Sequence, residues 1–154
     1  MKIKIYTDGS CHTQQKIGGW AAVILIENEK IELKGHELET THNAMELLAV
    51  LKALKFLKEN NIDSTKIEIV SDSQYVVGIL NRKEKLKQAN FLTKKNIPIR
   101  NVDLVKRLIE KIETLPISFT KVKAHQKKKA QENYNRVVDK LARAEVRRLI
   151  RKSP

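Results

Sequence analysis

The chain has 154 residues, 41% of them hydrophobic, which suits one domain with one core and excludes disorder on composition. Lysine and arginine number 31 against 18 aspartate and glutamate, a net charge of +13, which favours a polyanionic partner, nucleic acid ahead of an anionic membrane surface. One cysteine, Cys11, excludes an internal disulfide and fits a reducing cytoplasm, while the longest apolar run, Ala21 to Ile26, is far too short to span a bilayer.

In chain order, residues 2–8 read as a β-branched strand running into "YTDGSC". Gly18 to Glu27 reads as a second strand and Lys30 to Leu38 as a third, joined by a tight turn at Asn28-Glu29. Residues 43–60 read as a helix, because Leu47, Val50, Leu51, Leu54 and Leu57 recur at helical spacing. Lys66 to Ser71 is a fourth strand, running into "VSDSQYV", and a short helix follows at about Gln74 to Leu80. The next stretch is Lys-rich and only weakly periodic, and its bland reading is a solvated amphipathic helix. Residues 102–113 read as an amphipathic helix on Val105, Leu108, Ile109 and Ile112. A fifth strand, Ile117 to Lys123, precedes a closing helix over 132–151. The order βββαβααβα implies an α/β fold whose mixed sheet has an antiparallel half and a parallel half.

Two strands therefore run into a carboxylate, Asp8 and Asp72. Parallel neighbours would present both at one carboxyl edge, where open α/β sheets place their sites. Like charges there require a proton or a cation, and oxygen-only ligands suit Mg²⁺ or Mn²⁺. Glu46 lies on the apolar side of its helix and needs a partner. Asp139 sits at the margin of the last helix's apolar stripe. Structural readings stand beside these. Asp8-Gly9 is a turn pair, Asp72 caps the helix after it, Glu46 closes a capping box with Asn43, and Asp139 is a solvated helix residue.

"YTDGSC", "TTHNAMELLAV", "VSDSQYV", "IRNVDLVKRL" and "VKAH…NRVVDKLAR" together resemble, in order and spacing, the prokaryotic type 1 ribonuclease H family over essentially the whole chain. The resemblance implies a ribonuclease H-like mixed five-stranded sheet flanked by helices. It implies a monomeric cytoplasmic endoribonuclease that cuts the RNA strand of RNA–DNA hybrids. Two Mg²⁺ ions would activate the attacking water and stabilise the leaving 3′ oxygen, giving 5′-phosphate and 3′-hydroxyl ends. The family's catalytic carboxylates carry over to Asp8, Glu46, Asp72 and Asp139, also the metal ligands, and its mobile-loop histidine to His125. Contacts to the 2′-hydroxyls that distinguish RNA fall near Gly9, Ser10, Cys11, Glu46 and Gln74, and His42 and Asn43 match positions that touch the minor groove.

The chain departs from the pattern in several places. Gln14 stands where a substrate-contacting Asn is common, and Ala124 replaces the usual Gly before the loop histidine. The loop from His125 to Asp139 is about four residues longer than the bacterial pattern and carries Lys127-Lys128-Lys129. The stretch at about 82–97 occupies the place of the family's basic protrusion, with Lys83, Lys85 and Lys87 as phosphate contacts, but offers Leu86 and Phe91 where tryptophans are often found. With no hybrid-binding domain expected before Met1, affinity falls to these lysines. Three other readings stay open: an integrase-like strand transferase, which would end its metal triad in Glu; the ribonuclease H domain of a reverse transcriptase; and a catalytically silent nucleic-acid binder.

Overall fold

The computed structural model describes residues 1–123 and 133–152. Along them run β1 (Lys2–His12), β2 (Ile17–Ile26), β3 (Glu29–Glu37), α1 (His42–Glu59), β4 (Lys66–Ser71), α2 (Gln74–Gln88), α3 (Val102–Thr114), β5 (Ile117–Lys121) and α4 (Tyr134–Lys152). The strands form one sheet in the order β3-β2-β1-β4-β5. β1 pairs antiparallel with β2, and β2 antiparallel with β3. β4 pairs parallel with both β1 and β5.

Strand alternation sends Ile3, Ile5, Ile24, Ile67 and Ile69 to one face of the sheet. There they meet Leu47, Val50 and Leu54 of α1, Val76 and Ile79 of α2, and Val105 and Leu108 of α3. Burying each such side chain stabilises the fold by roughly 1.5–3 kcal/mol, which makes this face the main core. The opposite face carries Ala21 and Val23, which pack on Val138 and Ala142 of α4. Buried Glu145 fastens α4 further: Arg148 lies 2.9 Å away on the same helix, with His36 at 3.6 Å and Lys34 at 4.0 Å on β3. Among the described residues no helix is long and apolar enough to cross a membrane.

Four local expectations are corrected. β1 does not end at Asp8; it continues to His12, hydrogen-bonded to β2 throughout. What ends near Asp8 is its pairing with β4, whose last pair is Tyr6↔Val70. The β2–β3 turn is Glu27-Asn28, with Glu27 at φ 53, since Ile26 pairs with Glu29. That register sets Gly35 opposite Trp20, and a Cβ on Gly35 would lie 2.6 Å from the indole, so only glycine admits the ring. α2 runs on to Gln88, taking in the first part of the Lys-rich stretch. Lysine, glutamate, leucine and glutamine are all good helix formers, so the helix persists where apolar periodicity fades. Finally, β5 ends at Lys121, not Lys123.

Candidate active site

The divergence of β1 from β4 builds the site. Asp8 and Asp72 each lie two residues beyond the last β1–β4 pair, Tyr6↔Val70, at the mouth of the crevice between the strands. The N-terminus of α1 packs across β1 beside them. A Cβ at Gly9 would sit 2.5 Å from the Glu46 backbone nitrogen, so glycine is what lets α1 come close enough to deliver Glu46. One carboxylate oxygen from each of Asp8, Glu46 and Asp72 lies within 4.8 Å of the others.

Both capping alternatives fall on the same geometry. α1 is capped by Thr41, whose Oγ1 accepts from the Ala44 N–H at 3.2 Å, so Asn43 is inside the helix and closes no capping box. α2 is capped by Ser73, whose Oγ accepts from the Val76 N–H at 3.2 Å, so Asp72 precedes the cap. A hydroxyl one or two residues away does each capping job, and both carboxylates turn into the crevice group.

The group is electrostatically incomplete. Glu46 is 1% exposed and Asp8 6%. The Gly9 N–H is shared between Asp8 Oδ1 at 2.9 Å and Glu46 Oε1 at 3.0 Å. His42 Nε2 lies 3.2 Å from the same Glu46 oxygen, and that contact raises the imidazole pKa. Glu46 Oε2 is buried with no hydrogen-bond partner among the described residues. Burial first, then the neighbouring Glu46 and Asp72, push the Asp8 carboxyl up to about 10. A buried acceptor without a donor costs about 1–3 kcal/mol, and more for a charged group. An oxygen-ligated divalent cation would meet the orphaned oxygen and release the Asp8 proton together, so the donor set fits Mg²⁺ or Mn²⁺.

Asp8, Glu46 and Asp72 open on a cavity of about 360 Å³. Gly9, Ser10, His42, Asn43 and Gln74 line it too, so half of the ten expected substrate residues share one space with the carboxylates, while Cys11, Gln14, Lys83, Lys85 and Lys87 lie outside it. Asp139 reaches the same cavity from α4 but stands outside the tight group of three. Its Oδ1 accepts from Arg143 Nε at 3.1 Å, one helical turn along. Arg143 also lines the cavity, a residue not among those expected from the sequence, where its one signal is the i,i+4 spacing from Asp139 in "VDKLAR". Cys11, at the far end of β1, is half-buried, and its Sγ donates to the Thr40 carbonyl at 3.6 Å. Burial pushes that thiol's pKa up, which makes it a poor metal ligand. Gln14 occupies the exposed loop between β1 and β2. On α2, Lys83 and Lys87 lie 3.6 and 2.7 Å from Glu113 of α3, a partner the sequence did not reveal. His125 and the three-lysine run lie outside the described residues.

The RNase H family model matches residues 1–147. The chain belongs to the RNase H family. It is 38% identical to a ribonuclease H of Thermoanaerobacter sp. (strain X514) over 154 residues, covering 99% of this chain and 94% of that one. It is 37% identical to a ribonuclease H of Clostridium botulinum over 146 residues, covering 92% and 93%. Among solved structures it resembles LC9-RNase H1, a type 1 RNase H with the type 2 active-site motif, at TM-score 0.79 and 19% identity, over 94% of this chain and 72% of that one. LC11-RNase H1, solved in complex with an RNA/DNA hybrid, matches at TM-score 0.69 and 21% identity, over 96% and 99%. The Asp8–Glu46–Asp72 group is consistent with the metal site of an RNase H.

Proposed function

We propose that the chain is a cytoplasmic endoribonuclease that hydrolyses the RNA strand of RNA–DNA hybrids with two Mg²⁺ ions, Mn²⁺ serving as a substitute, and leaves 5′-phosphate and 3′-hydroxyl ends. One observation carries this reading: three carboxylates converge where β1 parts from β4, on a chain of net charge +13 in the RNase H family. When bound, the ions supply an activated water and positive charge at the leaving oxygen. Asp8, Glu46 and Asp72 would hold them, with Asp139 joining from α4 once Arg143 releases it. The Gly9 N–H, shared between two of these carboxylates, fixes their orientation before metal arrives. His42 Nε2 meets the same Glu46 oxygen as the Gly9 N–H and helps to hold it. Ser10, Asn43 and Gln74 put polar groups at the cavity wall, where a 2′-hydroxyl can be distinguished from hydrogen. A substrate panel tests the reading: end-labelled hybrid, the matching DNA duplex and single-stranded RNA, each with Mg²⁺. The hybrid's RNA strand alone is expected to be cut, and cutting of the DNA duplex would favour a strand-transferase relative.

The pairing of Lys83 and Lys87 with Glu113 sharpens an expectation about affinity. Replacing Lys83, Lys85 and Lys87 together with Gln should weaken hybrid binding and flatten its dependence on salt, because phosphate contacts release counterions. Glu113→Gln should do the reverse, since it frees two lysines for phosphate. Filter-binding titrations across a salt series provide the check, and unchanged slopes in both variants would remove α2's lysines from the interface.

His125 is proposed to assist proton transfer or product departure. His125→Ala should slow turnover about 10²-fold without eliminating it, in keeping with a general acid–base contribution. Full turnover in a single-turnover and steady-state comparison would mean that the longer Lys-rich loop has displaced the histidine.

A further inference from the structure

α4 carries two carboxylates, Asp139 and Glu145, six residues and so about 9 Å apart along its axis. Asp139 lines the cavity, while Glu145 is buried towards β3. A buried carboxylate needs partners, and three reach this one from exposed positions. Arg148 Nη2 donates to its Oε2 at 2.9 Å, His36 Nδ1 lies 3.6 Å from the same oxygen, and Lys34 Nζ lies 4.0 Å from Oε1. Burial acts to raise the pKa of this carboxyl, yet Arg148, Lys34 and His36 outweigh it and hold the group below its usual range. The buried apolar residues between α4 and the sheet are small: Ala21 and Val23 against Val138 and Ala142. Beneath Glu145, β2 presents bare backbone, since a Cβ on Gly19 would lie 2.3 Å from the Ala142 carbonyl oxygen and 3.0 Å from Glu145 Cβ. Apolar contact is non-directional and does little to fix how far a helix slides along a sheet. Charge-assisted contacts to β3 are directional and do fix it. The register sets His36 beside Gly19 and Gly19 beside Ser10, so one row across three strands leads from the cavity wall to Glu145's partner.

We infer that Glu145 is a positioning residue for cleavage: gripped by Lys34 and His36 of β3, it seats α4 on the sheet so that Asp139 stands at a set distance from Asp8, Glu46 and Asp72. The inference rests on the reading of Asp139 as a metal ligand in a hybrid-cleaving enzyme. Asp8 and Asp72 are placed by strand pairing, and Glu46 by the close approach of α1 at Gly9. Asp139 comes from the opposite face of the sheet, on a helix, so its place depends on how that helix is seated. A rigid helix carries a slip at Glu145 through to Asp139, and a misplacement of about 1 Å can cost up to about 10²-fold in rate.

Glu145→Leu tests this, because it removes the grip and fills the space with apolar atoms, an exchange that often leaves stability unchanged or raised. Melting temperature, and kcat and KM on hybrid, are measured for the variant alone and in an Asp139→Ala background, and the variant is crystallised without metal. Glu145→Leu is expected to melt near wild type and to keep its KM, yet to turn over about tenfold more slowly. In the Asp139→Ala background the same change should cost nothing further, since residues that act through one group are not additive. The crystals should show Asp139 displaced by about 1 Å relative to the other three carboxylates. Wild-type kcat in a folded Glu145→Leu overturns the inference, as does an equal loss in both backgrounds or an Asp139 that has not moved. If Glu145→Leu does not fold, a Lys34→Gln, His36→Gln double variant, changed at exposed positions only, decides by the same cycle. Absence of hybrid cleavage by wild type, or full turnover by Asp139→Ala, would instead refute the parent reading.

Discussion

Asp8→Asn is expected to lower hybrid cleavage by about 10³-fold or more, because removing a ligand charge forfeits several kcal/mol of transition-state stabilisation by metal. The same variant should melt higher than wild type in chelator at pH 7. An asparagine Oδ1 keeps the Gly9 N–H bond, and its amide can donate to the orphaned Glu46 Oε2. Added Mg²⁺ should then raise the melting temperature of wild type more than that of the variant, since ligand binding to the folded state stabilises by mass action. Melting curves with chelator and with Mg²⁺ for both proteins are the check. A variant that melts lower without metal and responds equally to Mg²⁺ would mean the three carboxylates do not share one pocket.

The second large effect is a pH dependence that metal abolishes. The Asp8 carboxyl is pushed up from 3.8 to about 10 in the metal-free fold, chiefly by burial and then by Glu46. Between those values the folded state holds a proton that the unfolded chain has lost. The stabilising contribution of that proton is fully present below about pH 4 and is lost progressively as pH rises towards 10. Metal-free wild type should therefore lose stability through neutral pH, by up to about 1.4 kcal/mol per pH unit from this one group. Mg²⁺ requires the ionised form, so binding at pH 7 should release protons, and affinity should rise by up to about tenfold per pH unit. Calorimetric titrations in buffers of differing ionisation enthalpy measure that release directly. Asp8→Asn should release fewer protons, and zero release by wild type would place its Asp8 in the ionised form before metal arrives.

Much of the architecture was legible because the fold is written in apolar periodicity. The five-stranded mixed sheet and four helices follow from it, as does the meeting of Asp8 with Asp72 across parallel β1 and β4. What escaped the sequence depends on partners distant in the chain. Beyond Asp8, β1 pairs with β2 and no longer with β4, and Gly9, Ser10 and Cys11 show no strand pattern of their own. The β2–β3 register depends on the Trp20 ring lying over Gly35. Helix caps slip easily by a residue where hydroxyls and carboxylates adjoin: Thr41 and Ser73 took the roles that Asn43 and Asp72 also fit. α2 outlasts its apolar stripe because propensity and the Glu113 contacts sustain it. Arg143 was hidden differently, since an arginine four residues after an aspartate on a helix reads as a surface pair until the cavity beside it is seen.

The proposed function requires that Asp8, Glu46 and Asp72 jointly hold the cation on which cleavage depends. Anomalous scattering from crystals of the enzyme soaked in Mn²⁺ tests it most directly. A peak is expected within coordination distance of an oxygen from all three carboxylates, lost in Asp8→Asn crystals soaked alike. A manganese peak elsewhere on the molecule, with the three carboxylates bare and the same preparation cleaving hybrid in Mn²⁺, would contradict it.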